Sequence, residues 1–262
     1  MWDADIDEFV QHLRAGGAAE STVRLRRMHL KRALTWLGMP PWAATTPDLE
    51  AYLAAHEWAP ETRKSVRSSL RAFWGWGEEA GHIATDPARR LPSVSVPQGA
   101  PKPAPTDVLK AAMAASPRRT RLMLMLAAYA GLRRAEIATL HSRDIVGDLL
   151  WITGKGGRTR IVPMHPELAE ALAGATGWIF PGEDRGHLSP DRVGRIMSDA
   201  LGGPRSGWTA HTLRHRFATR AYAGDRDILS VQQLLGHSSV ATTQRYTQPP
   251  DDALRKAVMS GA

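Results

Sequence analysis

Along residues 1–90 the apolar positions recur at helical spacing, and that rhythm stops at Leu91. Ile6, Phe9, Val10 and Leu13 mark a short first helix, while Val23, Leu30, Leu34 and Leu37 give residues 21–37 one core-facing stripe. Thr46-Pro47 opens another helix, with proline in the first turn, where a missing N–H costs nothing. In the fourth, Val66, Leu70, Phe73 and Trp74 stand at i, i+4, i+7 and i+8. Residues 1–90 are therefore expected to form a small domain of four or five helices. Residues 91–105 carry five prolines and no helical period, the pattern of an extended, semi-rigid linker. Beyond it, residues 106–262 are expected to form a second domain in which helices alternate with one hairpin. Residues 122–130 read as a buried helix, and 149–152 and 160–163 as strands around a turn whose glycines permit positive φ. The expected fold class is mainly α (α+β), with a helical N-terminal domain and a mostly helical second domain holding a small antiparallel hairpin.

Composition narrows the functional classes. The apolar run 122–130 is about half of what a membrane span requires, and the acidic N-terminus lacks the basic start and apolar stretch of a signal peptide. With no cysteine there are no disulfides or thiolate metal sites, which fits a cytoplasmic protein. The net charge is +8 and the pI about 10.3, favouring a polyanionic partner. Residues 1–105 hold 13 Lys/Arg against 12 Asp/Glu, whereas the remainder holds 21 against 14. Yet the near-neutral first part segregates its charge, with Arg24, Arg26, Arg27, Lys31 and Arg32 in one acid-free stretch and Arg63, Lys64, Arg67 and Arg71 in another. Of these, Arg24, Arg27, Lys31, Lys64, Arg67 and Arg71 are the candidate contacts to DNA phosphates; the plainer alternative is solvated helix surface.

The candidate chemistry lies further on, as Arg133 in Gly-Leu-Arg-Arg-Ala-Glu, Lys155 in Gly-Lys-Gly-Gly-Arg, His211 and Arg214 in His-Thr-Leu-Arg-His, His237 in Leu-Leu-Gly-His-Ser-Ser, and Tyr246 in Gln-Arg-Tyr-Thr. Attack on a phosphodiester needs positive charge on its non-bridging oxygens, and the planar, permanently protonated fork of arginine suits that task. A phenol of ordinary pKa near ~10 needs a base and a positive field to become a nucleophile. The departing sugar oxygen needs a proton. In this reading Arg133 and Arg214 clamp the phosphate, Tyr246 attacks, Lys155 protonates the leaving group, His211 accepts the phenolic proton and His237 donates a hydrogen bond to the phosphate. Arg133 and Glu136, like His211 and Arg214, are three apart and expected to share a helix face, with Thr209 capping the second helix. Each motif alone has a bland reading: a turn lysine for Lys155, an ion pair for Glu136, packed histidines for His215 and His237. His211 and His215 have zinc-compatible i, i+4 spacing, but Thr212 stands where a metalloprotease motif has Glu, so no metal is expected.

Taken in order, Arg133, Glu136, Lys155, His211, Arg214, His237 and Tyr246 resemble the tyrosine recombinase (phage integrase) family, position by position. The likeness spans residues 131–247, and residues 1–90 are more weakly similar to the family's core-type DNA-binding domain. The resemblance implies strand cleavage through a 3′-phosphotyrosyl link without ATP, metal or other cofactor. It further implies double-stranded DNA as partner, a homotetramer on two sites that is a monomer or weak oligomer when free, and a possible accessory directionality protein. It places the enzyme in the cytoplasm with the nucleoid. Glu136 is assigned support of Arg133 and the hairpin lysine, and the apolar face of Ala253, Leu254, Ala257 and Val258 docking on a neighbouring subunit. The chain is similar to short integrases without an arm-binding domain. Two alternatives share the scaffold, a type IB topoisomerase-like relaxase and a non-catalytic DNA-binding regulator; an RNA-binding module has only the net charge in its favour.

Overall fold

The computed structural model describes residues 2–97, 102–154, 157–225 and 227–236. The chain divides into two compact units, Met1–Gly99 and Ala100–Ala262.

The first unit contains α1 (Asp3–Ala15), α2 (Glu20–Leu37), α3 (Thr46–Ala54) and α4 (Pro60–Glu79), with a single 3-10 turn at Pro41–Ala43. Local sequence explains the ends. Asp3 and Asp5 in the first turn of α1, and His12 and Arg14 in its last, complement the helix dipole. Gly38, at φ 67°, closes α2 in the left-handed conformation that glycine adopts without strain. The Asp48 carboxylate accepts the Thr45 N–H at 2.9 Å, capping α3. The stripes read from the sequence converge: Ile6, Phe9, Val10, Leu30, Leu34, Leu70, Phe73 and Trp74 are all buried. Phe9 meets Phe73 edge-on at 5.4 Å, and Trp42 stacks on Phe73 at 5.0 Å. Gly77 is required beneath that indole, because a Cβ there would lie 2.3 Å from Trp42. Leu91 belongs to this core, its carbonyl accepting from Arg67 Nε and Nη2 at 3.2 and 2.6 Å.

The second unit contains α5 (Thr106–Ala115), α6 (Arg118–Tyr129), α7 (Arg134–Ala138), β1 (Ile145–Val146), β2 (Leu149–Thr153), β3 (Thr159–Pro163), α8 (Pro166–Leu172), β4 (Pro181–Asp184), α9 (Pro190–Ala200), α10 (Ala210–Asp225) and α11 (Ile228–Leu235). The apolar run 122–130 forms most of α6, where Met123, Leu124, Met125, Leu126, Ala127 and Ala128 are all buried. That helix is apolar on every side because α5, α8, α9 and α10 surround it. The hairpin is β2 and β3, joined antiparallel with Trp151 opposite Ile161 and Ile152 opposite Arg160. Leu150, Ile152 and Val162 face the core, while Trp151 and Ile161 stand outward, each 45% exposed. β1 adds a third strand beside β2, too short for any alternation in sequence to announce it. Ala104 is buried in this core. The mainly helical fold class with a small antiparallel sheet is as the sequence led one to expect. Among the described residues no helix is long and apolar enough to cross a membrane.

Candidate active site

Glu136 organises the cationic residues of the second unit. It sits at the third position of α7, its side chain only 4% exposed. Its Oε1 accepts from Arg133 Nη1 at 2.9 Å and Arg160 Nη1 at 2.8 Å; its Oε2 accepts from the Arg133 backbone N–H at 2.8 Å and Arg160 Nη2 at 2.7 Å. Arg214 Nη1 lies 3.9 Å from Oε2. Burial pushes the Glu136 carboxyl up, but the hydrogen bonds and charge of Arg160, then the backbone and side-chain bonds from Arg133, outweigh it and hold the carboxyl below its ordinary value. Three guanidiniums around one carboxylate leave the cluster with an excess of positive charge.

The geometry of the Arg133–Glu136 pair differs from the expected shared helix face. Arg133 precedes α7 as its N-cap, extended at φ −74° and ψ 153°, and Glu136 reaches back to its backbone N–H. Being outside the helix, Arg133 keeps a side chain 38% exposed while its inner Nη1 is fixed. Its Nη2 also approaches the Gly236 carbonyl at 3.4 Å.

Arg160 was not singled out by sequence, although a signal existed. It shares a strand face with Val162, one residue out of phase with exposed Ile161, so alternation turns its guanidinium inward. An inward arginine requires a buried carboxylate, and Glu136 provides one. Its Nε also donates to the Leu234 carbonyl at 2.8 Å, joining β3 to the end of α11.

On α10, Thr209 acts as the expected cap: its hydroxyl accepts from the Thr212 N–H at 3.4 Å, and Thr212 Oγ1 accepts from the Thr209 N–H at 2.8 Å. His211 is exposed in the first turn and meets His215 edge-on at 4.1 Å between ring centroids. Arg214 is 3% exposed, with its two terminal nitrogens donating to the carbonyls of Gly131 and Leu235. Glycine is needed at both neighbouring turns. Gly131, at φ 64°, would drive a Cβ to 2.4 Å from Phe217, and Gly236, at φ 61°, would place one 3.0 Å from the Arg160 side chain. Thus α6, α7, β3, α10 and α11 deliver Gly131, Arg133, Glu136, Arg160, Arg214 and Gly236 to one place.

Lys155, His237 and Tyr246, and the apolar face of residues 253–258, lie outside the described residues. Among the described residues no group of three or more His, Asp or Glu side chains is placed to hold a metal ion. In the first unit the six basic candidates divide. Arg24, Lys64 and Arg71 are exposed; Arg27 pairs with Asp7 and Lys31 with Asp3, each at 2.6 Å; Arg67 is committed to the Leu91 carbonyl.

A family model described as the phage integrase family matches residues 105–252. The tyrosine recombinase XerC of Methylobacterium sp. (strain 4-46) is 36% identical, over 87% of this chain and 81% of its own. The tyrosine recombinase XerA of Thermococcus kodakarensis is 30% identical, over 96% and 93%. A lambda integrase dimer bound to a COC' core site shares the fold, with a TM-score of 0.73 and 24% identity over 95% of this chain and 79% of that one. Fold and site together define a tyrosine-type site-specific DNA recombinase, and the relaxase and regulator alternatives are not favoured. The chain belongs to the phage integrase family.

Proposed function

We propose that this recombinase acts on double-stranded DNA with Tyr246 as nucleophile and Arg133, Lys155, His211, Arg214 and His237 around the scissile phosphate. The Tyr246 oxygen forms a bond to phosphorus as the bond to the 5′ oxygen breaks. The phenolic proton passes to His211, and the leaving oxygen takes a proton from Lys155. A 5′-hydroxyl from the partner duplex reverses these steps. The observation that carries the reading is the arginine cluster on Glu136: one buried carboxylate holds two guanidiniums by three hydrogen bonds, accepts a fourth from the Arg133 backbone N–H, and stands 3.9 Å from a third guanidinium, leaving net positive charge pre-arranged for a dianionic phosphorane. Glu136 serves that site by positioning, through Arg133 and Arg160.

In the first unit, exposed Arg24, Lys64 and Arg71 are proposed to take phosphates directly, and Arg27 and Lys31 to exchange Asp7 and Asp3 for phosphate on binding. Arg67 is proposed to fix the start of the linker rather than contact DNA. Likeness to the DNA-bound lambda integrase dimer supports the duplex partner. The homotetramer on two sites and an accessory directionality protein complete the proposal.

Covalent trapping tests it. The protein is incubated in chelator with nicked duplexes tiled from the DNA flanking its own gene, then denatured, and attached DNA is sequenced. Adducts that disappear in Tyr246→Phe are the expected result. Adducts that persist in that variant would assign the nucleophile elsewhere.

A further inference from the structure

The motif carrying His211 and Arg214 continues into an arginine that the chemistry leaves unused. Arg216 is 9% exposed, and its fork spans the chain entering α5: Nη1 donates to the Ala104 carbonyl and Nη2 to Thr106 Oγ1, each at 3.1 Å. One turn earlier on α10, the Thr212 carbonyl accepts the Ala104 N–H at 3.1 Å. Three hydrogen bonds thus fasten residues 104–106 to the helix that holds His211 and Arg214.

The attachment is stiff for reasons of sequence. Pro103 and Pro105 flank Ala104 and have no N–H, so Ala104 owns the only backbone donor of that tripeptide, and it is spent on α10. A residue before proline is held extended, which removes most remaining freedom. Ala104 is itself 1% exposed, packed in the core of the second unit. Arginine is a costly choice for stability alone. Burial, and then neighbouring Arg220, both oppose its charge, and both of its acceptors are neutral. What the planar fork supplies, and an apolar side chain does not, is a fixed geometry between two points of the incoming chain and α10.

We infer that Arg216 is a positioning residue that makes the incoming linker and the catalytic helix one mechanical piece, so that the linker's path sets the placement of His211 and Arg214. The inference rests on the roles proposed above for those two residues. It assigns the proline-rich segment a part in timing cleavage, since a change in its path reaches α10 through the Arg216 fork.

The test uses full-length protein on the nicked duplex that gives a wild-type, Tyr246-dependent adduct; that adduct checks the site assignment separately. Arg216→Ala is expected to slow adduct formation at saturating DNA about tenfold, with DNA affinity unchanged within about twofold, and Arg216→Lys, which keeps a charged donor but not the fork, to recover part of the rate. A four-residue Gly-Ser insertion after Gly99 is expected to slow cleavage similarly, and to add nothing in the Arg216→Ala background, because the link it loosens is already cut. Thr106→Val, which removes one bond alone, gives the same comparison if the alanine variant folds poorly. An unchanged cleavage rate in both Arg216→Ala and Thr106→Val would overturn the inference. So would multiplication of the insertion's effect by the substitution's, about a hundredfold together.

Discussion

Both units pair arginine with carboxylate, and the two settings differ in what water does. In the first unit Arg27 answers Asp7 from α2 to α1 with side chains 38% and 49% exposed. In the second, Glu136 at 4% exposure meets Arg160 at 10%. Solvent screens the first pair, so its members can exchange partners at little cost. The second has given up its water, and each charge depends on its partner for the stabilisation that water no longer supplies. One arrangement suits residues that must leave their partners for a ligand. The other suits a frame that must not move while a ligand reacts.

The sharpest way to break this contrast is to remove Arg160. Arg160→Ala is expected to cost the second unit about 3 kcal/mol, because Glu136 keeps its burial but loses two of its hydrogen bonds. Adduct formation is expected to fall about a hundredfold as Glu136, which holds Arg133, loses its two bonds to β3. Denaturant unfolding followed by amide exchange, read separately for each unit, checks this; an equal loss in both units would show that the two do not unfold independently.

A pair of glycine substitutions comes next, each expected to cost about 2 kcal/mol by overpacking. Gly131→Ala forces a Cβ onto Phe217 at positive φ and displaces a carbonyl that holds Arg214, so trapping should fail along with stability. Gly77→Ala strikes Trp42 in the first unit, and the expected loss is in stability and DNA affinity, with the saturated adduct rate retained. Comparison of rate against affinity separates the two.

The acid limb of stability sharpens the comparison further. Folding lowers the Glu136 carboxyl from its ordinary 4.5, so its contribution is full above that value and lost as pH falls through the lower folded one. Glu136→Gln should therefore flatten the second unit's stability profile below about pH 4.5 relative to wild type, as thermal unfolding across pH would record. The smallest effect belongs to Arg27→Ala, expected to change stability by under about 1 kcal/mol. It should weaken DNA binding at all sequences and reduce the salt slope by about 1.

The sequence made α1, α2 and α4 legible because each carries an apolar stripe, α3 through its Thr46-Pro47 start, and α6 because its apolar run is unbroken. It made β2 and β3 legible through glycine punctuation, and missed β1, whose two residues cannot alternate. For the candidate site, the order of motifs pointed to Arg133, Glu136 and Arg214, which the structure brings together, whereas their contacts were not written in spacing. Arg133 meets Glu136 by capping a helix instead of sharing its face. Arg67, one of the basic candidates, directs Nε and Nη2 to the carbonyl of Leu91, a residue 24 positions away that no local pattern connects to it. Such commitments are made by tertiary packing, which a one-dimensional pattern records only where it leaves a periodic trace.

The outward face of the hairpin has an optical consequence. Of the nine tryptophans, only Trp151, Trp178 and Trp208 lie beyond residue 99, and Trp151 is 45% exposed on the strand leading toward Lys155. Its indole emits from a watery surround, unlike Trp74, which is fully buried in the first unit. A variant with the other indoles replaced by phenylalanine would carry one native chromophore on the strand β2, four residues before Lys155 in the sequence. Its emission maximum and quenching would follow the hairpin through a turnover without an attached dye.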